Sequence, residues 1–153
     1  MKLPNNFECY LEKGIAKKTN PDKQRAEFLI NESEKNFRGL NKRVLVMNGI
    51  DEDNVNSIIK DIYDIIIEII RARMLLDGYS CSGNFAHEAE ISYLRKLRFK
   101  DNEIFFVNEL RASRNSITYY GKILNREYAE KSYSFLKEIY PKLTNMFNGY
   151  KEE

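Results

Sequence analysis

The stretch from residue 55 to residue 77 constrains the fold more than any other part of this chain. Isoleucine is its most frequent residue, and valine, tyrosine, leucine and methionine supply most of the other apolar positions. At about 100° per residue, its polar side chains fall into one narrow arc of a helical wheel. They are Ser57, Lys60, Asp61, Asp64, Glu68 and Arg71. A helix that is apolar around most of its surface has to be surrounded by other elements, so the stretch predicts a buried helix at the centre of an all-α protein.

The remaining segments also favour helices over strands. Only 7 Gly and 3 Pro occur in the 153 residues, which leaves little material for a turn-rich β-sandwich. We predict an all-α helical bundle of about five to six helices, of up-down type with a short fourth helix. A loop is predicted at residues 79–84. The predicted helices cover residues 7–18, 20–47, 51–77, 85–97, 101–124 and 125–146.

The helix boundaries follow from capping residues and from glycines that end the periodic patterns. Four polar residues are predicted to be N-caps: Asn20, Asp51, Asp101 and Asn125. Pro141 lies inside the closing helix, where a ring without an N–H predicts a kink.

The totals indicate a single folded domain over residues 1–153, with its core at about residues 22–147. A chain that is 42% hydrophobic and 31% charged lies outside the composition of disordered segments. Its net charge of +2 is too small for nucleic-acid binding through bulk charge, so any such binding has to be local. The N-terminus lacks a signal-peptide core, and the most apolar run is too short for a bilayer. We therefore predict a cytoplasmic protein without a membrane partner, in which Cys9 and Cys81 are reduced thiols.

Residues 111–121 concentrate more groups able to hold an anion than any other segment. Arg111 and Arg114 could fork onto a phosphate, and Asn115 and Tyr119 could donate to the same anion. These residues belong to a polar row that runs along the fifth predicted helix. The row and its flanks consist of Asn108, Arg111, Arg114, Asn115, Thr118 and Tyr119.

The polar row separates two apolar sides of the same helix, which is therefore either central in its own bundle or shared with a partner chain. Gly121 inside a helix costs ~1 kcal/mol relative to alanine, so we expect another backbone to approach it closely. Ideal geometry separates Arg114 from Tyr119 by about 140°, an obstacle that a second copy of the chain would remove. The first side contains Phe106, Leu110, Ser113, Ile117, Tyr120, Gly121 and Leu124, and the second contains Phe105, Ala112, Tyr119 and Ile123.

Two further residues stand out, Arg73 and His87. Arg73 falls in the middle of the apolar face of the central helix, where it either reaches water or C-terminal carbonyls or belongs to a buried polar network. His87 is the only histidine and begins an incomplete HExxH pattern, because Ile91 stands where the second zinc ligand would be. We expect it to pack against or bond to neighbouring helix residues, with Glu88 and Glu90 in solvent. Neither a metal site nor a cofactor is predicted.

Four stretches, taken in order, resemble the HEPN family of small α-helical proteins. They are YDIIIE at residues 63–68, RARMLLDGY at 71–79, HEA at 87–89 and LRASRNSITYYG at 110–121. The resemblance covers residues 22–147. It implies a helical bundle that usually forms a dimer.

The resemblance also implies a site on the fifth helix. Many members carry an arginine, often followed by Asn or Asp, and a histidine four to six residues beyond it. In active members this motif supports metal-independent RNA cleavage, and some act as toxins paired with a nucleotidyltransferase-type antitoxin; others bind nucleotides or proteins without catalysis. Carried over, Arg114 is the motif arginine and Asn115 follows it, while Tyr119, or Tyr120 in a longer count, replaces the histidine. A phenol with a pKa of about 10 is a poor general base at neutral pH.

Three functions are compatible with these residues. The leading hypothesis is a HEPN-like protein, non-catalytic or weakly catalytic, that binds a nucleotide, an RNA segment or a partner protein in a groove completed by a homodimer. The second is a metal-independent endoribonuclease, the toxin of a pair with a nucleotidyltransferase-type partner, with Tyr119 or His87 in acid–base work. The third is a purely structural dimeric subunit. The assigned residues are Arg114, Asn115 and Tyr119 as catalytic candidates, with Arg111, Thr118 and Tyr120 as further ligand-binding residues.

Overall fold

The structure, a computed structural model, describes residues 2–148. Six helices and one two-stranded sheet make up this part of the chain, which confirms the prediction of an all-α helical bundle. In chain order the elements are α1 (Phe7–Glu12), β1 (Ala16–Lys18), α2 (Lys23–Val46), α3 (Val55–Asp77), β2 (Tyr79–Cys81), α4 (Ala86–Lys96), α5 (Asp101–Tyr120) and α6 (Arg126–Asn145).

Helix α3 lies at the centre of the bundle, in contact with α2, α4, α5 and α6. Its isoleucines are buried, and each polar residue of the predicted arc keeps some exposure to solvent. The prediction of a buried central helix is therefore confirmed. Within residues 2–148, no helix is both long and apolar enough to cross a membrane.

The N-terminal segment is a short helix followed by a strand, so the prediction of one helix over residues 7–18 is wrong for its second half. Helix α1 ends at Glu12, and Gly14 then takes a φ of 73°, a left-handed conformation that glycine adopts without steric cost. The chain continues as β1, which pairs antiparallel with β2, so the predicted loop at residues 79–84 is also wrong for its first half. Strands of three residues are too short to show an alternating pattern in the sequence.

Of the N-caps predicted for α2 and α6, Asn125 is confirmed and Asn20 is wrong. Asn125 caps α6 as predicted, because its side chain accepts from the Tyr128 amide at 2.8 Å. Helix α2 begins after Asp22 and not after Asn20. The amides of Thr19 and Asp22 donate to carbonyls at the end of α3, which holds this segment extended and delays the helix.

The other two predicted N-caps are wrong by one to three residues. Asn54 occupies the position before α3, while the Asp51 side chain accepts from the Asp53 and Asn54 amides within the preceding turn. Helix α5 already includes Asp101, and Lys100 stands at its N-cap position. The prediction of Asp51 as the N-cap is wrong because an aspartate side chain caps a turn as readily as a helix.

Helix α5 ends at Tyr120, four residues earlier than predicted, and this ending explains Gly121. Gly121 has a φ of 64° and forms the left-handed C-cap of α5, a common helix terminator. A Cβ built on it would meet nothing within 4 Å, so the expected close backbone approach is wrong. Tyr120, predicted on the first apolar side of the helix, is 78% exposed at this terminus.

Helix α6 runs through Pro141 without ending, and the kink stays a prediction.

Candidate functional site

The N-terminal end of α4 and the C-terminal half of α5 enclose a groove of about 470 Å³. Four of the six assigned site residues lie in it together, and they share it with the histidine of α4. The obstacle expected from helix geometry is thus absent, since Arg114 and Tyr119 line one groove within one chain. Thr118 and Tyr120 are exposed and do not line the groove. The lining side chains are Phe85, His87 and Glu88 on one side and Arg111, Arg114, Asn115 and Tyr119 on the other.

Arg111 is engaged by two protein groups. Its Nε donates to Asn108 Oδ1 at 2.9 Å, and its Nη2 lies 3.2 Å from Glu88 Oε1. Asn108 is itself buried and donates to the Lys2 carbonyl at 3.0 Å. Arg111 therefore holds α4, α5 and the N-terminal segment together at the edge of the groove.

Arg114 is poorly satisfied by comparison. Its Nε is buried without a hydrogen-bond partner among residues 2–148, and it lies 3.7 Å from Asp64 Oδ1, on a side chain that is 45% exposed. A buried donor left without a partner costs about 1–3 kcal/mol, and such groups are uncommon in folded proteins. Arg114 also lines the groove, where its weakly compensated positive charge could attract an anion.

The His87 ring is fixed by a hydrogen bond to the central helix. Its Nδ1 lies 2.8 Å from the hydroxyl of Tyr63, a fully buried residue whose pKa is raised by burial. A buried hydroxyl needs an acceptor for its proton, and Nδ1 provides one. This assignment leaves the ring proton on Nε2. The expectation that His87 bonds to a neighbouring helix is confirmed.

The charge state of His87 follows from its surroundings. Burial is the main cause that lowers its pKa below the ordinary value, and the positive charges of Arg71, Arg114 and Arg111 act in the same direction against the carboxylate of Glu90. At neutral pH the ring is therefore a neutral hydrogen-bond donor through Nε2.

A second arginine cluster, Arg71 with Glu90, lies beside a cavity of about 240 Å³ that His87 also lines. Arg71 donates twice to Glu90, from Nε at 2.6 Å and from Nη2 at 3.0 Å. The Glu90 side chain is only 4% exposed, so the prediction that it faces solvent is wrong. An acidic residue can lie inside a bundle when a bidentate arginine neutralises it. Burial raises the pKa of the neighbouring Cys81 thiol to about 12, so this thiol is not a nucleophile at neutral pH.

Arg73 lies apart from the groove and combines the two environments considered for it. Its Nε donates to Asp77 Oδ2 at 3.0 Å, and another nitrogen donates to the Met146 carbonyl near the end of α6. The Tyr93 hydroxyl donates to the same Asp77 oxygen. This partly buried network ties α3, α4 and α6 together.

Two contributors to the groove escaped the sequence analysis, and they differ in how visible they were. Phe85 follows a Gly-Asn pair at a helix start, a position where an aromatic residue is unusual. The approach of His87 to Arg114 carries no local signal, because it depends on how α4 packs against α5. Among residues 2–148, no three His, Cys, Asp or Glu side chains are grouped so that they could hold a metal ion.

Comparison of the chain with protein-family models, with curated proteins and with solved structures finds no match. The helical bundle that the HEPN resemblance implies is present. Because unrelated functions share such bundles, membership of the HEPN family stays a prediction that rests on the residues quoted above.

Proposed function

We propose that this protein is a HEPN-like binding protein whose α4–α5 groove holds the phosphate of a nucleotide or of an RNA segment. The observation that carries the proposal is the convergence of Arg114, Asn115 and Tyr119 of α5 with His87 of α4 in one groove of about 470 Å³. Small-molecule sites span roughly 300–1,000 Å³. The groove thus has the size for a nucleotide, together with a cation and several hydrogen-bond donors.

The two arginines have different roles in this proposal. Arg114 receives the phosphate, because the compensation of its charge among residues 2–148 is a long contact with the half-exposed Asp64. Arg111 neutralises Glu88, whose carboxylate would otherwise repel an anion at the first turn of α4. With Glu88 paired, the positive N-terminal end of the α4 dipole adds to the attraction.

Binding is favoured over catalysis by the hydrogen bond between His87 and Tyr63. RNA cleavage needs a base that accepts the proton of the attacking hydroxyl. In the tautomer assigned from the contact with Tyr63, Nδ1 of His87 accepts the hydroxyl proton and Nε2 carries the ring proton.

One observation favours the second candidate, a metal-independent endoribonuclease: His87 lines the same groove as Arg114. Transfer of the ring proton to the other nitrogen would make Nε2 a base. Cleavage of single-stranded RNA by the wild type in EDTA, abolished by His87→Asn, would establish this activity. Absence of cleavage across the pH range would leave binding as the function.

The dimer and the partner stay proposals drawn from the resemblance. Tyr119 at the end of α5 and Ile123 just beyond it are largely exposed, which favours a homodimer through this end of the helix. A nucleotidyltransferase-type partner and a cytoplasmic location stay predictions. Light scattering coupled to size exclusion measures the oligomer, and a monomer at all concentrations would contradict the dimer.

The test of the proposed function is fluorescence anisotropy with a labelled single-stranded RNA at low salt. Arg114→Ala is expected to weaken binding about tenfold or more, the size expected for a charge-assisted hydrogen bond. Arg126→Ala is the matched control, since Arg126 lies outside the groove in an exposed pair with Glu130 and its loss changes the net charge equally. Equal losses in both variants, or no binding by the wild type, would contradict the proposal. In that case a purely structural subunit becomes the better description.

A further inference from the structure

Phe85 occupies an unusual place in the molecule. It stands at the N-cap position of α4 with φ 67° and ψ 10°, a left-handed conformation. Its ring is 62% exposed and lines the α4–α5 groove. The residue is outside the hydrophobic core of residues 2–148.

Local structure gives no reason for a phenylalanine at this position. The left-handed region suits glycine and, among other residues, asparagine or aspartate, and it is disfavoured for bulky side chains. An N-cap position prefers a side chain that accepts a hydrogen bond from the first turn, and no such bond is made by the side chain of Phe85. The ring is therefore kept in the groove against local conformational preference, as is common at functional sites.

The groove places this ring together with the poorly satisfied guanidinium of Arg114. A nucleotide presents two groups that match this pair, the flat face of its base and its phosphate. Proteins that hold unpaired nucleic-acid strands combine aromatic rings, on which bases stack, with positive charge along the backbone.

We propose that Phe85 is the stacking surface for one unstacked base of the ligand whose phosphate Arg114 holds. This inference rests on the proposed function, and it adds that the groove recognises an unstacked base of the ligand. Bases inside a double helix have both faces covered by their neighbours, so they cannot stack on Phe85. The groove therefore takes a free nucleotide or a nucleotide within a single strand, and it rejects a duplex.

The chain contains no tryptophan, so Phe85→Trp introduces a single indole at the stacking position. Its fluorescence is expected to be quenched by adenosine monophosphate and by a single-stranded oligoribonucleotide. Ribose 5-phosphate and the same oligonucleotide in a duplex are expected to leave it unchanged. Quenching by adenosine monophosphate but not by the oligoribonucleotide identifies a free nucleotide as the ligand. Quenching by both shows that a nucleotide within a single strand is also a ligand. Equal responses to ribose 5-phosphate and adenosine monophosphate would overturn the stacking role.

Phe85→Asn separates binding from folding, because asparagine suits both the left-handed conformation and the N-cap position. The melting temperature is expected to stay the same or to rise. Affinity for the oligonucleotide is expected to fall about tenfold, the size of one base–aromatic stack, with affinity for ribose 5-phosphate unchanged. Arg114→Ala is expected to weaken both ligands.

The outcomes of these two variants distinguish the inference from the proposed function. If Phe85→Asn binds the oligonucleotide as the wild type does while Arg114→Ala does not, the phosphate site stands and the stacking role is wrong. If the wild type binds none of these ligands, both the proposed function and the inference are wrong.

Discussion

Two arginine clusters, Arg71 with Glu90 and Arg114 with Asp64, differ in how completely their charges are satisfied. Arg71 forms a bidentate pair with Glu90, whose side chain is 4% exposed. Arg114 faces Asp64 across 3.7 Å, and its buried Nε has no hydrogen-bond partner among residues 2–148. Similar residue types thus produce a closed structural pair on one side and an available cation on the other. The difference predicts that Arg71 stabilises the fold, and it supports the proposal that Arg114 binds a ligand.

His87 connects the two clusters. It lines both the groove that contains Arg114 and the cavity beside Arg71. Its pKa is lowered mainly by burial, and it is held by Tyr63 on α3. Because Arg71 is closely paired and Arg114 is not, substitutions of these two arginines should have very different effects on the free energy of unfolding.

The largest effect is expected for Arg71→Met. This change leaves the buried Glu90 carboxylate without its partner. Removing one member of a fully buried pair costs about 3–5 kcal/mol, and the partial exposure of Arg71 reduces the expected loss of unfolding free energy to about 2–3 kcal/mol. Urea unfolding measures it, with Arg114→Met as the matched control. A variant as stable as the wild type would show that Arg71 and Glu90 are as dispensable as the opposite pair.

A smaller effect is expected for Tyr63→Phe, which removes one buried hydrogen bond and keeps the ring. The unfolding free energy should fall by about 1 kcal/mol. The pKa of His87 should rise. In the wild type, protonation of Nδ1 breaks the hydrogen bond that Nδ1 accepts from Tyr63, and the variant has no such bond to lose. The protein has one histidine, so its ring resonance can be followed by NMR without ambiguity. An unchanged pKa would mean that the hydroxyl does not donate to Nδ1.

The lowered pKa of His87 predicts a pH dependence with a definite sign. In the unfolded chain the imidazole binds a proton below about pH 6.5, whereas the folded state binds it only at lower pH. The unfolded state then holds more protons, so stability is complete above that value and falls as the pH drops towards the folded pKa. Asp64 and Glu68, whose pKa values are raised by burial, act in the opposite direction.

The difference in unfolding free energy between the wild type and His87→Gln isolates this effect from the carboxylates. The wild type should lose stability relative to the variant between about pH 7.5 and pH 5.5. A relative gain over that interval would contradict the neutral state of His87.

The smallest effect on stability is expected for Arg114→Ala. The change removes a long, partly exposed ion pair and also a buried donor without a partner, so the unfolding free energy should fall by no more than about 0.5 kcal/mol. A loss greater than about 1.5 kcal/mol, the upper range for one ordinary hydrogen bond, would show that Arg114 is a structural residue like Arg71.

The sequence predicts the parts of this molecule that depend on one helix. The isoleucine pattern of α3 is sufficient to predict its central position, and Arg114, Asn115 and Tyr119 lie close together because one helix carries them. The neighbours of these residues depend on packing between distant segments. No periodic pattern shows that Tyr63 fixes His87, or that Glu90 is buried against Arg71. Short strands and left-handed residues such as Phe85 also escape prediction, since they depend on two or three dihedral angles.

The contrast between the two arginines can be measured in a single NMR experiment. Both Nε–H groups are shielded, Arg114 by burial and Arg71 by its bond to Glu90, which favours observable side-chain signals. On titration of the labelled protein with single-stranded RNA, the Arg114 signal is predicted to shift in proportion to saturation while the Arg71 signal stays in place. A titration that moves the Arg71 signal, or that leaves Arg114 unmoved at saturation, would contradict the assignment of the α4–α5 groove as the binding site.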